Sequence, residues 1–380
     1  MQPLANVKVL DLTRLLPGPF ASLVLADLGA RVDKLEDTQG GDYIRHMPPH
    51  IGEHSALFVA LNRNKRSCTL DLKKPAAQAA FRKLVKSYDV VFEQFRPGVL
   101  DKLGLSHASL LAENPRLVVC ALTGYGQDGP LAKRAGHDLN YLARAGVLGF
   151  QGPASGPPQV PGFQLADVSG GLFSVLGIVS ALYERERTGK GQIVDVSMIE
   201  TSLGFASLGF GAQLAGQHAD RGNDALTGGI GPYNTYATKD GRAMTLAALE
   251  PKFWMGFCAA VGLEADMGAL MPGPHQAELK AKLAALFAER TLDEWVAFAR
   301  DKDVCLEPVL TPEEATQDPH LRARGVFFEI EHEGQKLPQM RLPLTPRDKV
   351  HTAPPKQGEH TRDVLREAGL TEEEIAAATA

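Results

Sequence analysis

Short apolar runs alternate with helical patterns over the first half of the chain. Residues 7–12 read as a strand, Pro17-Gly18-Pro19 introduces a helical pattern over 20–28 that stops at Gly29, and residues 31–35 read as a second strand. Residues 68–72 alternate as a third strand, 76–86 follow as a helix, and 90–95 and 117–122 supply two more strands. Strands and helices in this alternation predict a doubly wound α/β fold with a parallel sheet. Residues 38–67, rich in Gly, His, Pro and Arg, form a connection long enough to carry function. A helix opens at His137, since His137, Tyr141 and Leu142 share one side; a Gly/Pro loop over 151–161 leads to a long apolar helix over 167–186, stopped by Thr188-Gly189-Lys190-Gly191. Residues 192–196 add a strand, and 199–214 are apolar with small side chains suited to close helix contacts.

The alternation then stops. Residues 233–237 and 243–249 flank Lys239-Asp240-Gly241-Arg242 as a hairpin, and helices over 251–261, 276–289 and 292–301 complete a smaller α+β unit. A strand pair at 327–331 and 340–344 and a helical region at 360–377 close the chain. The pattern divides into a large domain over 1–188, linker helices over 189–224, a small domain over 225–312 and a return to the large domain over 313–380.

A hydrophobic fraction of 44% with 22% charged residues is ordinary soluble composition. The net charge of -5 argues against nucleic acid or an anionic membrane as partner and leaves anionic small molecules open. Met1-Gln2-Pro3-Leu4-Ala5-Asn6 lacks a basic segment leading into an apolar one, and no run of about eighteen apolar residues occurs, so a cytoplasmic location is expected. Cys68, Cys120, Cys258 and Cys305 are widely spaced and form no C-x-x-C pair, which predicts buried free thiols and no zinc site.

Gly124-Tyr125-Gly126-Gln127-Asp128-Gly129 matches a dinucleotide-binding pattern after a strand, but Pro130, Lys133 and Arg134 stand where its apolar helix should begin. The glycines therefore read as turn residues. Lys65-Arg66, Lys73-Lys74, Arg96 and Lys102 cluster at strand and loop ends. Each alone reads as solvated charge, yet Arg96 ends the fourth strand, at the edge where doubly wound sheets take ligands, and an arginine there can hold phosphate. A histidine opening a helix faces unpaired N–H groups at a positive dipole end, a setting that suits a neutral base. Asp167 reads as a helix cap and Glu250, before Pro251, as a helix start; with His137 they offer a base and two carboxyls at element ends.

At these residues the chain resembles the class III CoA-transferase superfamily, and within it the α-methylacyl-CoA racemase branch. The resemblance runs through Leu16-Pro17-Gly18-Pro19-Phe20, Asn64-Lys65-Arg66-Ser67, Phe95-Arg96-Pro97-Gly98-Val99, Gly136-His137-Asp138-Leu139-Asn140-Tyr141-Leu142 and Gly231-Pro232-Tyr233-Asn234-Thr235-Tyr236, covering almost the whole chain. It implies a Rossmann-like large domain with a small domain in an interlocked homodimer, and an active site between domains of different subunits. By the same resemblance Asp167 matches the catalytic aspartate, His137 the racemase histidine and Glu250 the glutamate that orients it. Leu70, Lys73, Gln94, Phe95, Arg96 and Lys102 match CoA-contact positions, and Tyr233 an active-site tyrosine. Asp37 stands where several relatives have an arginine beside the nucleotide, and Phe163 where racemases commonly carry an asparagine.

The expected reaction is 1,1-proton transfer at C2 of a 2-methylacyl-CoA, with neutral His137 and protonated Asp167 on opposite faces of the carbon and the backbone N–H of Asp138 toward the enolate oxygen. Coenzyme A enters as part of the substrate, with no metal, flavin or nicotinamide. One alternative is CoA transfer to a free carboxylate with Asp167 as nucleophile. Another is a CoA-thioester-binding protein without turnover, which the joint presence of His137, Asp167 and Glu250 disfavours.

Overall fold

The computed structural model describes residues 2–380. Lys8–Asp11 (β1) and Arg31–Glu36 (β2) are followed by a small antiparallel hairpin, His50–Ile51 (β3) and His54–Ser55 (β4), then by Lys65–Thr69 (β5), Val90–Glu93 (β6), Val118–Thr123 (β7) and Ile193–Ser197 (β8). Six of these build one parallel sheet in the order β5-β2-β1-β6-β7-β8. Every residue of β6 and β7 is buried, as a parallel sheet covered on both faces requires. The strand order reverses between β1 and β6, and a crevice opens beyond the carboxyl ends of strands at such a point.

Two compact units emerge. One comprises the chain up to Ala145 with Phe163–Phe205 and Pro319–Ala380; the other comprises Gly146–Gly162 and Ala206–Asp318. Residues 146–162 thus group with the second unit, whereas the sequence pattern carries the large domain on through 188. In the second unit Tyr233–Ala237 (β9), Ala243–Ala247 (β10) and Leu306–Pro308 (β11) form an antiparallel sheet in the order β11-β10-β9. Its core is aromatic: Trp254, Phe257, Phe287 and Trp295 are buried, and the Tyr236 and Phe287 rings stack with centroids 4.8 Å apart. In the first unit Phe327–His332 (β12) and Gln335–Met340 (β13) form a hairpin.

Several elements depart from the pattern for identifiable reasons. β5 starts at Lys65 rather than at 68, because its first residues are polar yet buried: the Lys65 ammonium donates to the carbonyl of Pro19 at 3.0 Å and to Asn62 Oδ1 at 2.9 Å. Arg66 is engaged by Asp33 and Glu367, so this basic pair holds the fold together instead of facing a phosphate. β6 ends at Glu93, which leaves Arg96 in the following loop. β13 lies at 335–340, not 340–344; its inward Gln339 is polar but buried, where it accepts from Arg63 and donates to the carbonyl of Val59. The apolar stretch at 199–214 is two helices, Met198–Phe205 and Ser207–Leu214, and the C-terminal region is also two, Thr361–Glu367 and Glu372–Thr379. The long connection after β2 holds the β3–β4 hairpin and the helix Ala56–Asn62, N-capped by the Ser55 hydroxyl. Cys68, Cys120 and Cys258 are buried free thiols, whereas Cys305 is only half-buried.

The helix Leu165–Thr188 is long and apolar enough, by length and composition, to cross a membrane, but half of that stretch is buried within the fold. Its close approach to the rest of the unit depends on two glycines. A Cβ at Gly171 would lie 2.7 Å from the Pro17 carbonyl oxygen, and one at Gly170 would lie 2.6 Å from the Met198 side chain. The outer face keeps a stripe of exposed apolar side chains, Leu172, Leu176, Val179 and Tyr183, at helical spacing.

Candidate active site

The helix Asp138–Arg144 begins directly after His137, whose backbone is extended and whose N–H donates to Asn140 Oδ1 at 3.0 Å. The side chain of His137 is exposed. Tyr141, buried on the inner side, donates its hydroxyl to the Gly136 carbonyl and meets the Tyr125 ring edge-on at 5.2 Å. A Cβ at Gly124 would lie 2.3 Å from the Tyr141 ring, so the glycine at 124 answers to the packing of this tyrosine. The backbone N–H groups of Asp138 and Leu139 meet no acceptor among the described residues, as expected in the first turn of a helix.

Asp138 joins this helix to the next. Its Oδ1 accepts from the backbone N–H of Ala166 at 2.7 Å and of Asp167 at 3.1 Å, the first turn of the helix Leu165–Thr188. The cap that the sequence pattern assigns to Asp167 is therefore supplied by Asp138, and Asp167 sits inside the first turn with its carboxyl free of a cap's duties. This commits the Asp138 carboxylate to protein backbone and leaves its N–H as the group it can offer a ligand. Burial, reinforced by the charge of Asp138, pushes the Asp167 carboxyl up to about 7. Burial and the neighbouring Asp167 charge likewise push the Tyr141 phenol up to about 12, while Arg96 pulls it the other way, so Tyr141 lies in the fields of both Asp167 and Arg96.

A cavity of about 360 Å³ opens at the carboxyl ends of β5, β2, β1 and β6. Leu70, Lys73, Phe95 and Lys102 line it, together with Leu12, Leu35, Leu72 and Leu103. Apolar side chains with the cations Arg14, Lys73 and Lys102 among them, beside the acidic Glu36, Asp37, Asp42 and Asp71, make a wall that can take an apolar ring bearing an anionic group. Arg96 lies outside this cavity and, with Phe95, lines a second one of about 220 Å³. Gln94 lines neither of these cavities; its Oε1 is buried and has no hydrogen-bond partner among the described residues. Arg14 was not legible as a site residue. It follows β1 at the switch point, lines the larger cavity, donates to the Tyr43 hydroxyl at 2.8 Å and lies over the Tyr43 ring. Asp37, at the same rim, serves the neighbouring backbone. Its Oδ1 accepts from the N–H groups of Gln39, Gly40 and Gly41, and against the opposing effect of burial these bonds hold its carboxyl below the usual range.

The remaining sequence candidates lie in the other unit. Glu250, exposed, stands at the N-terminus of the helix Pro251–Val261, and Tyr233 opens β9. Phe163, at 62% exposure, belongs to the first unit and presents its ring to solvent just before the Asp167 helix.

This arrangement of a parallel α/β unit, a nucleotide-sized cavity and an acid at a helix start can be set beside known proteins. The model of CoA-transferase family III matches residues 4–361. The chain belongs to that family. Among its relatives are α-methylacyl-CoA racemases of Homo sapiens and Mus musculus, each 40% identical over 98% of this chain and 95% of the relative. The succinyl-CoA:glutarate CoA-transferase of Mus musculus is 31% identical over 97% of this chain and 86% of its own length. A solved CAIB/BAIF family protein from Brucella suis superposes with a TM-score of 0.83 at 33% identity, covering 96% of this chain and 99% of that one. Members of family III with such names are enzymes acting on CoA thioesters, and this chain shares their fold.

Proposed function

We propose that this family III protein interconverts the C2 epimers of 2-methylacyl-CoA thioesters by 1,1-proton transfer. The observation that carries the reading is the Asp138 bridge, which ties the His137 helix start to the first turn holding Asp167. Burial pushes the carboxyl of Asp167 up to about 7, a range in which a group can both give and accept a proton. A nucleophilic carboxylate, by contrast, is served by staying ionised. Similarity to racemases at 40% identity over nearly the full chain supports the same reading.

In the proposed reaction the cavity at the carboxyl ends of the strands takes the nucleotide, with Lys73, Lys102 and Arg14 facing its phosphates. Thioester polarisation falls to the unpaired N–H groups at the start of the His137 helix. Neutral His137 removes the α-proton from one epimer and protonated Asp167 supplies a proton to the other face; in reverse the two exchange roles. Glu250 orients the imidazole from a second copy of the chain. Partner coverage of the exposed stripe Leu172, Leu176, Val179 and Tyr183 would remove its apolar surface from water. Light scattering is expected to give twice the chain mass, with Leu176→Glu/Tyr183→Glu shifting the protein to monomer and removing turnover; a fully active monomer would refute the shared site.

The proton-exchange reading also fixes a pH profile. Active enzyme holds one proton between His137 and Asp167, so activity falls as pH rises through the point where that proton is lost. The equilibrium constant between epimers does not depend on pH, so both directions share one profile. Asp138→Asn keeps the capping oxygen and removes the charge that helps raise Asp167. Its alkaline limb in kcat/KM is expected at lower pH than that of the wild type. An unmoved limb in a folded variant would count against Asp167 as the titrating acid.

CoA transfer is the second reading, kept in view by the transferase relatives and by Phe163. Incubation of a single-epimer 2-methylacyl-CoA in deuterated water, with and without a free-acid acceptor, separates the two. Inversion with deuterium at C2 supports racemisation, and acceptor-dependent formation of a new thioester supports transfer.

A further inference from the structure

We infer that the protein carries a structural site for a divalent transition-metal ion of the zinc class, formed by His54, His332 and Glu333. The site is independent of the reaction proposed above. Among the described residues these three form a cluster in which one ligand atom from each lies within 4.8 Å of the others. His54 stands on β4, in the long connection after β2; His332 ends β12; and Glu333 occupies the turn to β13. All three belong to the same compact unit.

The donor set selects the ion. Two imidazoles and one carboxylate leave a fourth position for water, a set that suits zinc, nickel or cobalt, whereas magnesium and calcium prefer oxygen ligands. Bonds of about 2.0–2.2 Å in a tetrahedral site place neighbouring ligand atoms roughly 3.3 Å apart, so the cluster must contract by at most about 1.5 Å. Side-chain rotation can supply this, because both imidazoles are half-buried and Glu333 is exposed. The rings are tilted by 56° with centroids 5.9 Å apart, so they are not locked in a stack.

The surroundings fit a clip between two hairpins. The tip of the β3–β4 hairpin already touches β13, where a Cβ on Gly52 would lie 2.2 Å from the Gln335 side chain. Glu333 has its backbone in the left-handed region (φ 49°), as does Gly334, which makes the two-residue turn that presents the carboxylate. Among the described residues Glu333 pairs with Lys356 at 2.8 Å, which also lies in the fields of Glu53 and Glu359. A bound metal would take over the place of that ammonium. The connection that carries His54 also supplies Asp37, Gly41 and Asp42 to the wall of the larger cavity. Metal binding would therefore fasten this connection to the β12–β13 hairpin and stabilise the unit.

The test uses the full chain, stripped with EDTA and titrated calorimetrically at pH 7.5 with ZnCl2 and separately with MgCl2, followed by thermal unfolding with and without zinc. One zinc per chain is expected to bind with a dissociation constant in the micromolar range and to raise the Tm by several degrees, with no response to magnesium. His54→Ala and His332→Ala should each weaken zinc about tenfold or more while leaving the metal-free Tm and CoA-thioester turnover unchanged, and Lys356→Met should tighten it. The chain has eleven histidines, so the His54→Ala/His332→Ala double variant measures adventitious binding. Zinc binding equal in the double variant and the wild type, or none up to about 1 mM, would overturn the assignment.

Discussion

Alanine in place of His137 is expected to slow inversion at C2 by about 10²–10⁴-fold, the usual contribution of a positioned acid or base. The substitution lies at an exposed N-cap where His137 and Asn140 form a capping box, so a cost of about 1 kcal/mol in stability is expected with the fold retained. Asp167→Ala should lower racemisation to a similar extent. The two variants separate the faces of the carbon: each lacks one partner, and the partner left behind can still wash out the proton on its own side. Single-epimer substrates should therefore show residual exchange without inversion in one variant per epimer. Near-wild-type inversion in either variant would remove that residue from the mechanism, and retained acceptor-dependent thioester formation in His137→Ala alone would favour CoA transfer.

The largest effect on stability should come from Arg63→Ala. Arg63 is fully buried, and its guanidinium pairs with both oxygens of Asp27, donates to Gln339 Oε1 at 2.8 Å and lies over the Phe328 ring. Asp27 also accepts from the Thr345 hydroxyl at 2.6 Å and from Asn64 Nδ2 at 2.8 Å. The cluster thus joins the end of the first helix, Pro17–Asp27, to β13 and to the C-terminal segment. Removing the guanidinium leaves a buried carboxylate with neutral donors only, a change that costs about 3–5 kcal/mol. Thermal unfolding should fall by on the order of 10 °C. The Asp27→Leu/Arg63→Met pair should recover part of that loss, because the unpaired charge is then gone. A loss below about 1 kcal/mol for Arg63→Ala would mean that water reaches Asp27 and screens it.

How much of the site was legible in the sequence follows from how far each signal travels along the chain. His137 could be found because a helix start is a local event, set by neighbouring residues and the 3.6-residue period. Leu70, Lys73, Phe95 and Lys102 came from resemblance, and the cavity brings them to one wall. Arg14 was missed because one arginine after a short strand carries no periodic mark; only the reversal of strand order beside β1 gives it a ligand-facing place. The role of Asp138 was hidden more deeply. It caps a helix that begins 27 residues later, and no local pattern reports a bond between Asp138 and the Ala166 N–H.

Similar reasoning accounts for the misplaced strands. Continuous apolar runs mark β6 and β7 because both faces of the sheet are covered there, but the hydrophobic pattern fails where polar side chains are buried with partners, as at Lys65 in β5 and Gln339 in β13. Pattern therefore determined the α/β class, the run of parallel strands, the later α+β unit and the helix start at His137. Those features arise from short-range sterics and from the partition of apolar side chains out of water, both of which are written in adjacent residues. The tertiary structure decided the strand order, the buried ion pairs, the Asp138 bridge and the raised carboxyl of Asp167. Each of these depends on burial and on charges brought together from distant parts of the chain, and desolvation acts only once the chain has folded around them.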